Sequence, residues 1–334
     1  MSLEATVVSL LRGHCDDSGP GASAGVIVDG QLRVAESVGL ADLENSVPAS
    51  SATNYRLASV SKQFTASAIL LLAEQSLLRL ADSIVHFLPE LPSWCAPVTV
   101  AHLLNHTSGV PDYEALIDAG TVVPLVDADV LSLIATQSRP MFPAGTQFHY
   151  SNSAYALLAQ TVARVSGIPF EEFLRERIFL PAGMSGSLAH VQGTSFVADR
   201  AFGYSRTDDG SFRRSDQSLT SGVLGDGGVY SSVDDLARWE RALLRGDVLS
   251  DALKDLAWNQ PVATGERGVG YGLGWYTGTF GGEPTVYHTG DSIGFRTYLE
   301  RFPRKRIAVV LLMNRTRAEV LALGREISLA ALEC

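Results

Sequence analysis

The chain has 334 residues, 46% of them hydrophobic and 19% charged, and a formal net charge of -10. Length and apolar content of this order support a large buried core, in one complex domain or two closely packed ones. The acidic balance and scattered arginines argue against a nucleic-acid surface, and no window approaches the ~20 uninterrupted apolar residues that a membrane span needs.

Residues 1–20 carry Glu4, Asp16 and Asp17 and lack the basic start, apolar run and small-residue cleavage site of an export signal, so a cytoplasmic location is expected. Cys15, Cys95 and Cys334 are odd in number and have no metal-like spacing, which suits a reducing compartment and gives no catalytic thiol. Leu3, Val7, Leu10 and Leu11 fall on one helical stripe. Residues 24–28 and 31–40 read as a hairpin about Asp29-Gly30, a pair that supplies the positive φ of a tight turn. A polar stretch, 44–54, then leads into a helix running to about residue 80, with Phe64, Ala68, Leu71 and Leu72 as its buried face.

From 89 to about 210 the periodicity is mainly helical, with helices over 98–104, 152–165 and 170–178. Another is opened by Ser231-Ser232-Val233-Asp234-Asp235 and closed at Gly246. Strand signals return at 272–280, 285–288, 295–302 and 307–313, and a helix over 317–332 ends the chain. The 307–313 run is nearly all apolar, as for a strand covered on both faces. The expected fold is α/β of the α+β type: one antiparallel sheet made of N-terminal and C-terminal strands, flanked by helices, with an all-helical region inserted. The expected division is a discontinuous sheet domain (1–80 and 220–334), a mainly helical domain (81–219), and an active site in the cleft between them.

Three short motifs carry chemistry. Ser59 stands at a helix start and Lys62 three residues on, so the two share a face about 5–6 Å apart. A serine hydroxyl needs a neighbouring base, and an amine serves only if burial and the positive helix end keep it neutral. Tyr150-Ser151-Asn152 precedes the helix over 152–165. There a nearby ammonium would lower the Tyr150 phenol toward use as a base, and the Asn152 carboxamide can bond both a lysine and a substrate amide. His288-Thr289-Gly290 is read as the end of a strand, where the glycine lets a substrate backbone approach, and the Asp291 N–H faces that of Ser59 as second oxyanion donor. Each motif alone fits an ordinary cap or turn. His106 and Asp226 are assigned no catalytic role, the first as a helix-closing residue and the second as part of a turn. No metal-ligand spacing, phosphate loop or dinucleotide fingerprint is present, so no cofactor is expected.

The ordered set Ser59-x-x-Lys62, Tyr150-x-Asn152 and His288-Thr289-Gly290 resembles the serine β-lactamase and penicillin-binding-protein-like family, in particular its class C β-lactamase, D-alanyl-D-alanine carboxypeptidase and family VIII esterase branch. His102-Leu103-Leu104-Asn105-His106-Thr107-Ser108-Gly109 and Gly227-Gly228-Val229-Tyr230-Ser231-Ser232 strengthen the likeness, which spans about 21–314. It implies a β-lactamase/transpeptidase-like fold with Ser59 as acyl-accepting nucleophile and Lys62 with Tyr150 as the proton-transfer pair. It further implies that Asn152 orients Lys62 and the substrate, and that His288, Thr289, Gly290 and Asp291 form the opposite wall and oxyanion site. His288 replaces the lysine usual in β-lactamases, so the carboxylate of a β-lactam loses a permanent cation. Arg296 is a candidate substitute. The expected activity is that of a serine hydrolase forming an acyl-enzyme on a small ester, amide or D-peptide. A true β-lactamase is the alternative, and a non-catalytic penicillin-binding or scaffold protein the alternative of another class. Oligomeric state is left open.

Overall fold

The computed structural model describes residues 2–333. Its centre is an eight-stranded antiparallel sheet in the order Val262–Ala263, Gly270–Tyr271, Tyr276–Phe280, Glu283–Ser292, Phe295–Phe302, Ile307–Met313, Ala22–Val28, Gln31–Val38. The N-terminal hairpin joins the C-terminal meander because Ala22–Val28 pairs with Ile307–Met313, from Ala22 opposite Met313 to Val28 opposite Ile307. Asp29 and Gly30 turn the hairpin with φ of 53° and 70°, the left-handed pair that matches the strands' own twist.

Period-two alternation explains the apolar run 307–313. Val309, Leu311 and Met313 pack with Val7 and Leu11 of the Leu3–Arg12 helix and Ile327 of the Val320–Leu332 helix. Ala308, Val310 and Leu312 face the other way, into a core shared with Phe64, Leu236 and Trp239. Helices Lys62–Glu74 and Val233–Arg245 thus cover one face of the sheet while the two terminal helices cover the other. Behind Lys62–Glu74 stand Asn152–Ser166 and Asp127–Ala135. The Lys62–Glu74 helix is buried at every residue from Lys62 to Leu70. It is therefore wrapped on all sides, not amphipathic with one buried stripe as its pattern implied.

Four expectations need correction. The nucleophile helix stops at Glu74, since Ser76 adopts φ of 59°. Of the run 272–280 only Tyr276–Phe280 is a strand, because the chain turns through Gly274 after a separate short strand, Gly270–Tyr271. The stretch before 219 is not all helical: Tyr204–Arg206 and Phe212–Arg214 form a hairpin, and Leu188–Ala189 pairs with Val229–Ser231. His288-Thr289-Gly290 does not end a strand but lies inside one ten residues long, Glu283–Ser292. Cys15 and Cys95 are free and buried, while Cys334 lies outside the described residues. Among the described residues no helix is long and apolar enough to cross a membrane.

The turn carrying Ser59 is fastened to two strands, Val229–Ser231 and Phe295–Phe302. Tyr55–Arg56 pairs with Val229–Ser231, the Leu57 N–H donates to the Val229 carbonyl (2.8 Å), and the Thr297 hydroxyl donates to the Leu57 carbonyl (2.6 Å). Ser61 Oγ accepts from the Val229 N–H (3.1 Å). Gly290 is the contact that lets the sheet approach. A Cβ there would sit 2.2 Å from both the Leu57 carbonyl oxygen and Thr297 Oγ1, so the glycine admits the Ser59 turn and not, as its sequence context implied, a substrate backbone. Gly290→Ala should therefore force the sheet and turn apart, lowering stability by ~1–3 kcal/mol in equilibrium denaturation. A variant as stable as the parent would show that the contact is dispensable.

Candidate active site

Ser59 lies in a 3-10 turn, Ala58–Ser61, that runs directly into the helix beginning at Lys62. Ala58, just before it, has φ of 47°, a left-handed conformation that costs a non-glycine residue roughly 1 kcal/mol or more and is sustained by the fastenings above. The serine is half-buried, whereas Lys62 is fully buried.

The Lys62 ammonium donates to Ser59 Oγ (3.1 Å), Asn152 Oδ1 (2.7 Å) and the Asp226 carbonyl oxygen (2.7 Å). Three donors meet three acceptors, drawn from segments more than sixty residues apart. Burial lowers its pKa to about 8, against the pull of the Asp226 and Glu114 carboxylates, which favour the charged form. About a tenth of the amine is then neutral at pH 7, where an ordinary lysine would hold less than a thousandth. Asn152 is the first residue of its helix, held there by Ser151, whose side chain accepts from the Ala154 N–H (3.2 Å). Its amide nitrogen donates to Glu114 Oε1 (2.6 Å).

Tyr150 has its ring centroid 4.9 Å from the Lys62 Nζ. Its hydroxyl is buried and has no hydrogen-bond partner among the described residues. Burial pushes the phenol well above its ordinary pKa, and the neighbouring Ser59 hydroxyl offsets only part of that. The expectation that a nearby ammonium would lower it is thus reversed: desolvation exceeds any charge effect, and the phenol keeps its proton. His106, fully buried with φ of 61°, holds this segment in place. Its ring centroid lies 4.3 Å from that of Tyr150, its Nδ1 accepts from the Ser151 N–H (3.1 Å), and its carbonyl accepts from the His149 N–H (2.9 Å).

His288 differs from its expected place. It is 2% exposed, and its ring points to Tyr271, not into the cleft. Nδ1 is 2.6 Å from the Thr289 carbonyl oxygen and must carry the proton, leaving Nε2 to accept from the Tyr271 hydroxyl (3.1 Å). Burial first, and Lys62 second, lower its pKa to about 3, so the ring is neutral. Thr289 is half-buried on the same strand. Beyond Tyr287, which faces Tyr276, the strand has no strand partner on that side among the described residues, and it packs there against the Ser59 turn. Asp291 lies on this stretch. Arg296 is turned to its own strand and is not among the residues lining the cleft: its Nη1 pairs with Asp291 (2.6 Å) and donates to the carbonyls of Ser292 and Phe295.

Ser59, Asn152 and Asp291 line one cleft of about 90 Å3 together with Arg56, Glu114 and Asp226. Two of these carboxylates escaped the sequence reading. Glu114 had no motif around it. Asp226 was taken as a turn residue, yet it is buried, its carboxylate accepts from the Tyr113 hydroxyl (3.0 Å), and burial raises its pKa. The run of glycines beside it was the available signal of close packing. Among the described residues no cluster of His, Cys, Asp or Glu could hold a metal ion.

Comparison with known proteins agrees with this geometry. A beta-lactamase family model matches residues 8–332. The chain is 30% identical over 300 residues to a penicillin-binding protein of Bacillus subtilis (strain 168), covering 86% of this chain and 66% of that one. It is likewise 30% identical over 308 residues to a D-aminopeptidase of Cereibacter sphaeroides, covering 89% and 57% respectively. It thus spans between about half and two thirds of the length of these curated relatives. The solved octameric penicillin-binding protein homologue from Pyrococcus abyssi superposes with a TM-score of 0.86 at 28% identity, over 99% of this chain and 76% of that one. With its sheet order, its buried lysine beside a serine and a family match over nearly its whole length, the chain belongs to the beta-lactamase family.

Proposed function

We propose that the protein is a serine hydrolase that works through an acyl-enzyme on amides and short peptides with a free N-terminal D-amino acid. The observation that carries the chemistry is Lys62 Nζ standing 3.1 Å from Ser59 Oγ with its pKa lowered by burial. In its neutral form Lys62 takes the Ser59 proton as Oγ attacks the substrate carbonyl. The Tyr150 phenol, which keeps its own proton, relays one from Lys62 to the departing amine. Water then repeats the sequence in reverse: its proton goes back through the same pair, its oxygen attacks the ester, and Ser59 leaves as the alcohol. The N–H groups of Ser59 and Asp291, two residues that line the cleft, are the oxyanion donors of this reading.

Charge in the cleft supports the substrate class. Glu114, Asp226 and Asp291 line it, Asp291 already paired with Arg296, and the one guanidinium of the lining, Arg56, is 3% exposed and donates to the Ser221 carbonyl (3.0 Å). Glu114 is exposed and already accepts from Asn152, the residue that touches Lys62. A substrate ammonium placed beside the reacting carbonyl finds a carboxylate there. A substrate carboxylate finds Arg296 turned to its own strand and His288 neutral and buried, which disfavours β-lactams and C-terminal D-alanyl peptides. The D configuration rests on the likeness to a D-aminopeptidase. The scaffold alternative is weaker, because nothing structural calls for a buried, depressed lysine beside a half-buried serine.

Two measurements test this. With D-alanine p-nitroanilide and its N-acetyl derivative, Glu114→Gln should lower the ratio of kcat/KM for the free amine to that for the acetylated compound by roughly tenfold or more, since a charge-assisted bond is worth ~1.5–3 kcal/mol and any change in Lys62 acts on both substrates alike. Preference for the acetylated compound would refute the substrate class, and turnover undiminished in Ser59→Ala would refute the mechanism. On an ester without titratable groups, kcat/KM should rise with pH through a midpoint near 8 as Lys62 loses its proton. The Asp226 carboxylate raises that pKa, so Asp226→Asn should move the midpoint to lower pH. A midpoint that stays put or moves upward would show that another group is the base.

A further inference from the structure

One buried carboxylate near the site has no part in the reaction derived above. Asp127 is the first residue of the helix Asp127–Ala135, a place where an acidic side chain ordinarily stays in water and complements the helix's own free N–H groups. Here it is 5% exposed, and its oxygens bond a distant segment. Oδ2 accepts from the Leu224 N–H and Oδ1 from the Gly225 N–H, both at 2.9 Å. Burial pushes its pKa up to about 7, although the two N–H bonds pull it down, and Asp226 adds repulsion. A neutral side chain at this place would avoid that desolvation.

What the charge holds is the turn that completes the surroundings of Lys62. The residue after Gly225 is Asp226, whose carbonyl oxygen accepts from the Lys62 ammonium (2.7 Å). The peptide units before it are tied from other sides as well. The Gly225 carbonyl accepts from the hydroxyl of Thr65, on the same helix as Lys62 (2.7 Å), and the Leu224 carbonyl from the Gly228 N–H (3.0 Å). Gly225 is pressed against the helix Asn152–Ser166, where a Cβ would sit 2.3 Å from the Tyr155 carbonyl oxygen. Asp127 is in turn anchored by the chain just before it: the Leu125 N–H donates to the Leu219 carbonyl (2.8 Å), and Val126 bridges to Gly222. Two adjacent N–H groups on the two oxygens of one carboxylate fix the place and the tilt of the backbone together, as a single acceptor does not. Asp127 does not line the Ser59 cleft, and none of the three acceptors of Lys62 belongs to it.

We propose that Asp127 is a positioning residue for Lys62: its ionised carboxylate holds the 224–226 turn in the form that presents the Asp226 carbonyl to the ammonium, and so sets the proton affinity of the lysine without touching it. Each hydrogen bond made by the ammonium favours the charged form, so releasing the turn lets the Lys62 pKa fall further below that of an ordinary lysine. As a statement about turnover the inference rests on Lys62 being the base of the proposed reaction. As a statement about the protonation of Lys62 it does not.

The chain has three lysines, Lys62, Lys254 and Lys305. Carbon NMR of protein labelled at the lysine ε-carbon therefore reads Lys62 directly, with Lys254→Arg and Lys305→Arg assigning its signal by elimination. In Asp127→Asn the carboxamide offers one oxygen, and its NH2 group meets an N–H. The Lys62 midpoint should then fall from about 8 to about 7, as expected for one lost bond to a charged group. Asp127→Glu keeps the charge but sets it one methylene out of place, and should also lower the midpoint, which separates geometry from the field of the charge. If either variant fails to fold, the other carries the test alone. Ile134→Ala opens a cavity under the same helix without releasing the turn, and should leave the midpoint where it is. The kcat/KM midpoint on the ester should follow that of Lys62 in each variant. An NMR midpoint that moves while the kinetic one stays would support the positioning role and refute Lys62 as the base. A Lys62 midpoint unmoved in Asp127→Asn, unmoved in Asp127→Glu, or moved as far by Ile134→Ala would each overturn the assignment.

Discussion

The ammonium of Lys62 is sealed from solvent, and everything around Ser59 is arranged to make that tolerable. A buried cation forfeits several kcal/mol of hydration unless its donors are met, and here Ser59 Oγ, Asn152 Oδ1 and the Asp226 carbonyl meet all three. Removing any one leaves a donor unpaired in a low-dielectric site. The same burial that makes the charge costly brings the amine within reach of neutrality near physiological pH. Stability and protonation state are therefore set by one desolvation, and the helix Lys62–Glu74, buried at every residue from Lys62 to Leu70, is part of that cover.

Holding three acceptors on one ammonium requires that three distant segments be fixed independently. Asn152 is placed by a helix start capped through Ser151 and braced by His106. Asp226 is placed by its carboxylate's bond to Tyr113 and by the loop whose Leu224 and Gly225 N–H groups donate to Asp127. Ser59 is placed by the small sheet of Tyr55–Arg56 with Val229–Ser231, and by the absence of a side chain at Gly290. The sheet itself contributes position more than chemistry: His288, on the strand facing Ser59, turns inward to Tyr271 and stays neutral.

Desolvation also decides the roles within the cluster. Lys62 and Tyr150 are neighbours, and a charge argument alone makes the phenol the group that loses its proton. Burial acts on both in the direction of neutrality, lowering the amine and raising the phenol. The two effects reinforce one another, so the pair rests as amine and phenol more readily than as ammonium and phenolate.

Local pattern was enough for the elements whose signals are local. The Asp29-Gly30 turn, the doubly covered 307–313 strand, the Ser232 cap and Gly246 closure of one helix, and the i,i+3 approach of Lys62 to Ser59 all follow from spacing and residue type. So does the joining of N-terminal and C-terminal strands in one antiparallel sheet, because a run apolar on both faces needs partners that only the hairpin and meander supply. Tertiary structure alone decided what depends on contacts between segments far apart in sequence. Which way His288 turns within its strand, that Gly290 admits the Leu57 carbonyl and not a ligand, that Arg296 is claimed by Asp291, and that Glu114 and Asp226 enter the cleft are all outcomes of packing. A side chain's type and neighbours in sequence state what it can bond. Only the chain's path in space determines whether water, another side chain or nothing at all is there to be bonded, and with that its charge.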